Sequence, residues 1–487
     1  MRVNPLLLTD SYKLSHPEQY PPDMNMAIAY GSCRKGLFEL DPRIVQYGLR
    51  YIIDNYMVPI TQADLDEAVE LMSGFGLGGA HPFPKELIQK VIDEHNGIWP
   101  VTIEAFPEGS IIYPHMPVYQ ITATDEFAPL VTYIETMLTR VWYPITVATI
   151  GLHARNIIHQ AFIDSVDESF WFLEDSRVHD FGARGCTTHE QAMLGGSAHG
   201  LHFTGSDNLE ALRYVRQQDP SFTFTSIPAT EHSVMTSWRS EEEALENMLN
   251  HYPGKVFATV ADSYNYDNYI NNIVPKYAKR VIETNSTLVV RPDSGDPIRC
   301  VVDALKALAK VFPTYKNSKG YRVIEHAAVI QGDGIDLRIM GQILEAVLDN
   351  GFSAQNVAFG LGAGLLHKHN RDTLSFATKL CFARFGKNSR TIQKRPATDK
   401  KKSSLPGPFG VYNGTVYRKI FVEPNNWATP DNAIHNELVV AWHPVRGNCT
   451  ANLGNYEMTR MRINHNRFSI PRQELNWLSP ELKAVFE

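Results

Sequence analysis

Charged side chains stand in several polar turns of this sequence, and some of these turns directly follow apolar runs. The members of this set are Arg184, Asp262, Arg291, Asp293, Asp296, Asp333 and Arg371. Carboxylates can hold Mg²⁺ or ribose hydroxyls, and arginines bind phosphate groups through paired hydrogen bonds. If these turns meet on one face of the fold, the mixture of charges predicts a site for a sugar phosphate.

A glycine-rich turn at residues 360–364 follows another apolar run and leads into Leu365, Leu366 and His367. Backbone N–H groups in such a turn can hold a phosphate, so the turn is a second candidate for the same site. It lacks the Lys-Ser/Thr pair of a P-loop and matches the dinucleotide fingerprint only weakly. Taken alone, a turn of this kind is more often a plain connection between strand and helix.

The histidines offer a different chemistry. His199 with His202, and His179 with His189, lack the companion spacing of a zinc site and are interpreted as structural or surface residues. His232 differs from them, because it stands in a polar turn between helical segments. An imidazole in that position could act as a general base or accept a phosphoryl group.

The elements that must hold these side chains repeat one pattern of apolar run, polar turn and helix. The runs are Val256–Ala261, Leu288–Val290, Ala327–Ile330 and Asn356–Phe359, with helical spacing at 301–312 and 337–352. This alternation is typical of a parallel α/β barrel or a doubly wound sheet, whose functional groups lie at the carboxyl ends of the strands. The capping-box pattern Thr187-x-x-Glu190 predicts that a further helix begins there.

These patterns divide the chain into three stretches. Residues 151–385 form the predicted α/β barrel-like catalytic domain. Residues 1–150 mix helical and strand-like runs, residues 386–487 are irregular and polar, and both ends together predict a second, α+β domain. The basic segment 386–407 is poor in apolar residues and is interpreted as a mobile loop, either a solvated linker or a lid for a phosphate-rich ligand.

The bulk properties exclude several classes of protein. A net charge of −7 and a pI of about 6.2 argue against an extended nucleic-acid surface. No stretch approaches the roughly 18 apolar residues of a membrane span. The five cysteines are far apart without CxxC spacing, which suits a reducing compartment. We therefore expect a cytoplasmic protein that binds neither nucleic acid nor membrane.

Several long motifs together resemble the nicotinamide phosphoribosyltransferase family, which belongs to the type II phosphoribosyltransferases. They are TDSYKLSHPEQYPP at 9–22, WYPITVAT at 142–149, HDFGARG at 179–185, GSDN at 205–208, ATEHS at 229–233, RPDSGDP at 291–297, IQGDGID at 330–336 and FGLGAGLLHKHNRD at 359–372. The resemblance implies a barrel-like α/β domain plus an antiparallel-sheet domain built from both chain ends. It also implies a homodimer with the active site at the subunit interface.

The resemblance implies a reaction as well. Nicotinamide and 5-phosphoribosyl-1-pyrophosphate would give nicotinamide mononucleotide and pyrophosphate in NAD salvage. Mg²⁺ would be the metal, and ATP would be a coupling co-substrate that phosphorylates His232. Phe181 and the Tyr12 of a second subunit would enclose the pyridine ring, and Asp207 would accept a hydrogen bond from the carboxamide.

The resemblance assigns the remaining site residues by group. They are Arg184 and Arg291 beside the ring and phosphate, Asp293 and Asp333 for the ribose hydroxyls and the metal, Gly332, Gly362 and Ala363 for the substrate, Arg34, Arg371 and Lys379 for the pyrophosphate or 5′-phosphate, and Lys394, Lys400 and Lys402 in an ATP and pyrophosphate loop. Catalysis would depend on His232, Arg291, Asp293 and Asp333.

Two alternative functions stay open on the sequence alone. Nicotinate phosphoribosyltransferase shares the fold and the chemistry, and Asp207 is the residue that separates it from the nicotinamide enzyme. A catalytically silent nucleotide-binding or scaffold protein is the other alternative, against which the complete set of charged residues argues. The sequence departs from the family pattern at Ala183, where vertebrate members have tyrosine, and at Ala363, where glycine is more frequent.

Overall fold

The computed structural model describes residues 3–398, 402–422, 426–428 and 435–486. The chain forms two compact units. One consists of Met1–Thr149 with Asn370–Glu487, and the other of Ile150–His369. We call them the antiparallel unit and the parallel unit, after the sheets that they contain.

The described strands are β1 (Met24–Ser32), β2 (Ile44–Val45), β3 (Val101–Ala105), β4 (Ile111–Ile112), β5 (Tyr119–Thr124), β6 (Val178–Asp180), β7 (Val256–Val260), β8 (Thr287–Arg291), β9 (Thr314–Lys316), β10 (Arg322–Ile324), β11 (Ala327–Gln331), β12 (Val357–Leu361), β13 (Ala377–Phe385), β14 (Asn388–Thr391), β15 (Phe409–Tyr412), β16 (Thr415–Arg418), β17 (Ile420–Val422), β18 (Asn426–Ala428), β19 (Val439–His443) and β20 (Gly447–Asn448).

The described α-helices are α1 (His16–Gln19), α2 (Leu49–Tyr56), α3 (Gln62–Ser73), α4 (Lys85–His95), α5 (Leu130–Tyr133), α6 (Glu135–Thr139), α7 (Trp142–Ser165), α8 (His189–Gly200), α9 (Leu209–Gln218), α10 (His232–Ser237), α11 (Glu241–His251), α12 (Tyr266–Asn268), α13 (Val274–Glu283), α14 (Pro297–Val311), α15 (Leu337–Asp349), α16 (Ala363–Leu366), α17 (Tyr456–Asn466) and α18 (Pro480–Lys483).

The parallel unit contains a five-stranded sheet in the order β6-β12-β11-β8-β7. All of its pairings are parallel. The strands are short and mostly buried, as expected where helices cover the outside of a parallel sheet. Each of the four apolar runs predicted from the sequence forms one of these strands.

Single-residue bridges continue this sheet beyond both of its edge strands. Next to β6, Ser206 pairs with Asp180 and Gly205 pairs with Thr225. Next to β7, Ala229 pairs with Ala258. Because residues 225 and 229 are close in the chain, the two extensions approach each other and give the barrel-like arrangement. The predicted fold class is therefore confirmed for this unit.

Helix starts in the parallel unit follow local capping chemistry. Asp296 was predicted to share the charged face, but its side chain accepts a hydrogen bond from the N–H of Arg299 over 2.8 Å and caps α14. The predicted start of α8 is wrong by one residue, because Thr188 is the N-cap and accepts from the N–H of Gln191 over 3.1 Å. Thr188-x-x-Gln191 is itself a capping pattern, and the backbone adopts that register.

The antiparallel unit is built around a seven-stranded sheet in the order β14-β13-β1-β5-β3-β19-β20. Its three central strands come from the beginning of the chain, strands from the end flank them on both sides, and its pairings are antiparallel. Large side chains such as Trp99, Tyr119 and Phe409 are fully buried in its core. This sheet confirms the predicted α+β domain formed from both chain ends.

The basic segment 386–407 is not a loop throughout, as the sequence led us to expect. Residues Asn388–Thr391 form β14, which pairs with β13 through a tight turn at Gly386, where φ is +55°. Pairing to an existing edge strand stabilises the backbone even though the β14 side chains are exposed. Lys400 lies outside the described residues.

Two further expectations concern membranes and thiols. Among the described residues, no helix is both long and apolar enough to cross a bilayer. The five cysteines Cys33, Cys186, Cys300, Cys381 and Cys449 are free thiols.

Candidate active site

A cavity of about 830 Å³ lies in the parallel unit and is lined by the turns that follow its strands. The sequence-predicted residues that line it are Phe181, Arg184, Asp207, His232, Arg291, Asp293, Gly332, Asp333, Gly362 and Ala363. The carboxyl ends of parallel strands meet at one edge of the sheet, so turns far apart in sequence converge there. Their chemical roles stay predictions at this point.

The inner end of the cavity is apolar. Ala258, Val289 and Ile330 form a small buried cluster against which Phe181 and Ile227 pack. Small side chains on the strands leave space for a ligand inside the barrel, where larger ones would fill it. An uncharged flat ring fits this end of the cavity, and charged groups fit its mouth.

Phe181 is held at this inner end by the neighbouring strand. Its N–H donates to the carbonyl of Leu361 over 3.0 Å, immediately after β6. A Cβ atom added to Gly360 would lie 2.1 Å from Cε2 of Phe181, and one added to Gly332 would lie 3.3 Å from it. Glycine thus stands in β12 and directly after β11, where the aromatic ring lies close to the backbone.

Asp207 lines the cavity and is exposed. It follows the bridge that extends the sheet beside β6, and its N–H donates to the carbonyl of Asp180 over 3.2 Å. The hydroxyl of Ser226 donates to one oxygen of the Asp207 carboxylate. The other oxygen is therefore available to accept a hydrogen bond from a ligand.

His232 begins the short helix α10 and faces two carboxylates. Its Nε2 lies 3.1 Å from Oδ1 of Asp262, and its Nδ1 lies 3.7 Å from Oδ2 of Asp293. The Asp262 side chain is only 5% exposed, and the hydroxyl of Ser294 donates to its other oxygen. Asp262 was part of the charged set in the sequence, but its partnership with His232 was not predicted.

Arg291 is the last residue of β8, and one nitrogen of its guanidinium makes an ion pair without a hydrogen bond. Its Nε lies 3.8 Å from Oδ1 of Asp293, beyond hydrogen-bond range. In the part of the chain that the structure describes, this buried Nε has no hydrogen-bond partner. An unpaired cationic donor beside a cavity favours an anionic ligand.

The mouth of the cavity carries a second arginine and a carboxylate. Arg184 is 87% exposed, and its Nη2 lies 3.8 Å from Oε2 of Glu231. A hydrogen bond from the hydroxyl of Ser233 lowers the pKa of Glu231, and the charge of Arg184 lowers it further. By contrast, burial lowers the pKa of His179, which also lines the cavity, to about 4, so that this imidazole is neutral near pH 7.

Two glycine-containing turns pack together beside the cavity. Gly362 follows β12 and precedes α16, which is only four residues long. A Cβ atom added to Gly364 would lie 2.4 Å from the carbonyl oxygen of Ile335. The turn after β12 and the turn after β11 therefore hold each other in place, with Gly332, Asp333 and Ala363 on the cavity wall.

Comparison with known proteins places this geometry in a family. A model described as the nicotinate phosphoribosyltransferase (NAPRTase) family matches residues 176–423, which contain the whole cavity lining. A model described as the nicotinamide phosphoribosyltransferase N-terminal domain matches residues 4–103. The nicotinamide phosphoribosyltransferase of Xanthomonas campestris pv. campestris (strain 8004) is 39% identical over 412 residues, covering 83% of this chain and 86% of that protein.

The chain belongs to the nicotinate phosphoribosyltransferase family. It is an enzyme of the pentosyltransferase class. A second relative, the nicotinamide phosphoribosyltransferase of Acinetobacter baylyi (strain ATCC 33305 / BD413 / ADP1), is 28% identical over 450 residues, covering 83% of this chain and 87% of that protein.

Solved structures share the fold of this phosphoribosyltransferase. Nicotinate-nucleotide pyrophosphorylase from Pyrococcus furiosus has a TM-score of 0.57 at 15% identity, with 95% of each chain covered. Human nicotinic acid phosphoribosyltransferase has a TM-score of 0.56 at 16% identity, with 98% of this chain and 95% of that chain covered. At such low identity the likeness shows the architecture of a type II phosphoribosyltransferase and leaves the substrate open.

The carboxylates of this phosphoribosyltransferase suit one kind of metal binding. Among the described residues, no group of three or more His, Cys, Asp or Glu side chains could hold a metal ion by itself. Mg²⁺ usually takes one or two protein carboxylates and fills its other positions with water and substrate phosphates. Asp293 and Asp333 on the cavity wall fit that requirement, because the phosphates of a substrate can supply the rest.

Several predicted phosphate-binding residues belong to the antiparallel unit. Arg34 donates from Nε to the carbonyl of Ser375 over 2.9 Å, and Arg371 is largely exposed. Lys379 lies on β13, where burial lowers its pKa. Tyr12 is 58% exposed.

Two lysines of the predicted ATP and pyrophosphate loop are described. Lys394 pairs through its backbone with Ser404, and Lys402 is exposed. The roles of all these residues of the antiparallel unit stay predictions.

Proposed function

We propose that this enzyme is a nicotinamide phosphoribosyltransferase that acts in NAD salvage. The observation that carries the proposal is the carboxylate of Asp207 at the same cavity as the ring of Phe181. A carboxylate accepts a hydrogen bond from the N–H of a carboxamide and repels the carboxylate of nicotinate. The relatives named as nicotinamide phosphoribosyltransferases support the same substrate.

In the proposed reaction the pyridine nitrogen of nicotinamide attacks C1 of 5-phosphoribosyl-1-pyrophosphate. The bond from C1 to the pyrophosphate oxygen breaks, and pyrophosphate leaves with its electron pair. Positive charge develops on the sugar and negative charge on the leaving group, so fixed charges at both ends stabilise the transition state. Asp293 and Asp333 suit the sugar side, and the unpaired Nε of Arg291 suits the phosphate side.

Correct positioning of nicotinamide also accelerates the proposed reaction. Phe181 can stack on the pyridine ring, which is worth about 0.5–1.5 kcal/mol beyond the buried area. Asp207 then fixes the rotation of the ring through the carboxamide, so the ring nitrogen points at the sugar. Mg²⁺, when bound by Asp293, Asp333 and the substrate phosphates, neutralises the charge of the leaving pyrophosphate.

His232 carries the proposed coupling to ATP. Because Asp262 only accepts hydrogen bonds, Nε2 of His232 bears the proton, and the lone pair is on Nδ1. Nδ1 would attack the γ-phosphorus of ATP, break its bond to the β-phosphate oxygen and release ADP. Asp262 stabilises the positive charge that the ring gains in this step. Hydrolysis of the phosphohistidine would then favour product formation.

The remaining parts of the proposal concern assembly and location. Tyr12 is an exposed aromatic side chain, and a homodimer would let it cover the second face of the pyridine ring in its partner. The lysines Lys394, Lys400 and Lys402 would meet ATP or pyrophosphate. Free cysteines agree with the proposed cytoplasmic location.

A product assay tests this function. Purified enzyme would be given 5-phosphoribosyl-1-pyrophosphate and Mg²⁺ with either nicotinamide or nicotinate, each with and without ATP, and the mononucleotides quantified. We expect mononucleotide from nicotinamide, at a higher rate with ATP. Product from nicotinate alone would assign the enzyme to the other substrate. No product from either, with normal affinity for nicotinamide mononucleotide, would favour a silent nucleotide-binding protein.

A further inference from the structure

Two buried polar residues stand next to the two side chains that the proposed function assigns to nicotinamide. Asp180 directly precedes Phe181, and Asn208 directly follows Asp207. Asp180 is 1% exposed and Asn208 is 2% exposed. Nδ2 of Asn208 donates to Oδ2 of Asp180 over 2.9 Å, although the two residues are 28 positions apart.

The other polar atoms of this pair are also in use. The second hydrogen of the Asn208 amide goes to the carbonyl of Ala192 in α8 over 2.9 Å, and its Oδ1 accepts from the N–H of Ala211 and caps α9. Oδ1 of Asp180 accepts from the N–H of Gly182 over 2.8 Å. A buried network with every group satisfied has one low-energy arrangement and is therefore rigid.

Helix α8 closes this pair off from solvent. A Cβ atom added to Gly196 would lie 2.4 Å from Nδ2 of Asn208 and 2.9 Å from Oδ2 of Asp180. The absence of a side chain at Gly196 lets the helix lie directly on the hydrogen bond. In such dry surroundings a hydrogen bond to a carboxylate is stronger than in water, and its loss is more costly.

We propose that Asn208 and Asp180 are positioning residues of the pyridine site, which fix the place of Asp207 relative to Phe181. Stacking on Phe181 and a hydrogen bond to Asp207 must be satisfied by one rigid ring at the same time. A displacement of either side chain by about 1 Å therefore weakens ring binding and misdirects the ring nitrogen. The inference rests on the proposed function, because it takes these two residues as the ring and carboxamide contacts.

The pair of Asn208 and Asp180 is expected to affect the binding of nicotinamide more than that of 5-phosphoribosyl-1-pyrophosphate. It joins the end of β6 to the turn that carries Asp207, whereas Arg291 ends β8 and Asp293 and Asp333 stand on the turns after β8 and β11. Loss of the pair is therefore expected to change the KM for nicotinamide selectively. A purely structural role would change both KM values together with the thermal midpoint.

Exchange of donor and acceptor gives the sharpest test. Asn208→Asp keeps an oxygen to cap α9 but sets a carboxylate against Asp180. Asp180→Asn sets an amide N–H against the amide of Asn208. The double variant D180N/N208D restores one hydrogen bond with its direction reversed, although the carbonyl of Ala192 loses its donor. We expect the KM for nicotinamide to rise about tenfold in each single variant, with the KM for 5-phosphoribosyl-1-pyrophosphate within about twofold of wild type, and to recover in part in the double variant.

Two further variants provide a matched control and a substitution without a buried charge. Asn265→Asp changes another capping asparagine of the same unit, which is exposed and accepts from the N–H of Asn268 over 2.8 Å, and it is expected to change neither KM. If a buried charge prevents folding, Asn208→Ser keeps a capping oxygen without the charge and without the donor to Asp180. It is expected to show the same selective rise.

Different results would contradict the positioning role of the pair and the proposed function of the enzyme. Equal rises in both KM values, or a double variant no better than the singles, would leave the pair a structural feature and overturn the inference alone. Wild-type enzyme that makes no mononucleotide from nicotinamide would remove the proposed function and the inference with it.

Discussion

His232 donates from Nε2 to Oδ1 of Asp262 over 3.1 Å, and this carboxylate is almost fully buried. The arrangement fixes the tautomer of the histidine and turns Nδ1 towards the side of Asp293. The hydrogen bond to Asp262 leaves the lone pair of the imidazole on Nδ1, and a nitrogen lone pair is what a phosphoryl acceptor requires.

Replacement of Asp262 should therefore impair the proposed coupling to ATP. Asp262→Asn keeps the shape but removes the charge that stabilises the phosphorylated imidazole. We expect about a 10- to 100-fold loss of phosphohistidine formation, the equivalent of one charge-assisted hydrogen bond. Acid-labile incorporation of phosphate from labelled ATP measures it. Asp267→Asn, the same change at an exposed site nearby, is the control. Undiminished labelling of the Asp262 variant would contradict the role of this carboxylate.

Asp207 should decide between the two pyridine substrates. Asp207→Asn removes the negative charge that favours a carboxamide over a carboxylate. We expect kcat/KM for nicotinamide to fall about 10- to 100-fold, while that for nicotinate rises. Steady-state kinetics with both substrates gives the ratio. Glu210→Gln neutralises an exposed carboxylate three positions along and should leave the ratio unchanged. An unchanged ratio in the Asp207 variant would mean that the carboxamide is recognised elsewhere.

Gly360 should be required for the position of Phe181. In Gly360→Ala the new methyl group would overlap the aromatic ring, so the ring or the strand must move. We expect a loss of about 1–3 kcal/mol in the free energy of unfolding, together with a higher KM for nicotinamide. Gly341→Ala is the matched control, because nothing lies within 4 Å of the added atom. In the interior of α15 it should instead stabilise the protein by about 0.5–1 kcal/mol.

Glu108 should make the stability of the antiparallel unit depend on pH. Burial raises the pKa of this carboxyl to about 7, although the N–H groups of Gly48 and Arg50 both donate to it. The folded state therefore binds the proton more tightly than the unfolded state, whose glutamate has its ordinary pKa of 4.5. The contribution of Glu108 to the free energy of unfolding is therefore fully present below pH 4.5. It decreases as the pH rises from there to about 7 and is constant at higher pH.

The variant Glu108→Gln should remove this dependence. Its carbonyl oxygen can accept both backbone hydrogen bonds without a charge. Relative to wild type, we expect it to gain about 3 kcal/mol of unfolding free energy between pH 4.5 and pH 8. Comparison of the two proteins at each pH isolates this carboxyl from other titrating groups. A constant difference across the pH range would show that Glu108 does not titrate there.

Mixing of inactive variants should reveal whether Tyr12 acts across a dimer. Under the proposal, Tyr12→Ala and Phe181→Ala are each impaired, but a mixed dimer contains one site with both aromatic rings. The two variants would be co-expressed with different affinity tags and purified on both tags, so that only mixed dimers remain. These should show about half of wild-type activity, because one of their two sites is complete. A partner that carries both substitutions is the control and should restore none. The absence of rescue in the first mixture would place both rings in one subunit.

Much of the parallel unit could be predicted from local patterns. Apolar runs that end in Gly and Asp turns identify β7, β8, β11 and β12, because strand length and turn chemistry are properties of neighbouring residues. The segment RPDSGDP shows the limit of such patterns. Arg291 and Asp293 line the cavity, whereas Asp296 caps α14, and composition alone does not distinguish the two uses.

The sequence by itself determined which segments form the strands and helices of the parallel unit, which turns carry charge and, through its motifs, the family. Only the tertiary structure decided which side chains meet. The partnership of Asp262 with His232, the bond from Asn208 to Asp180 and the close approach of Gly360 to Phe181 all join segments that are far apart in the chain. Such contacts depend on strand order and register across a sheet, which are set by the packing of the whole unit and not by the spacing of residues along the chain.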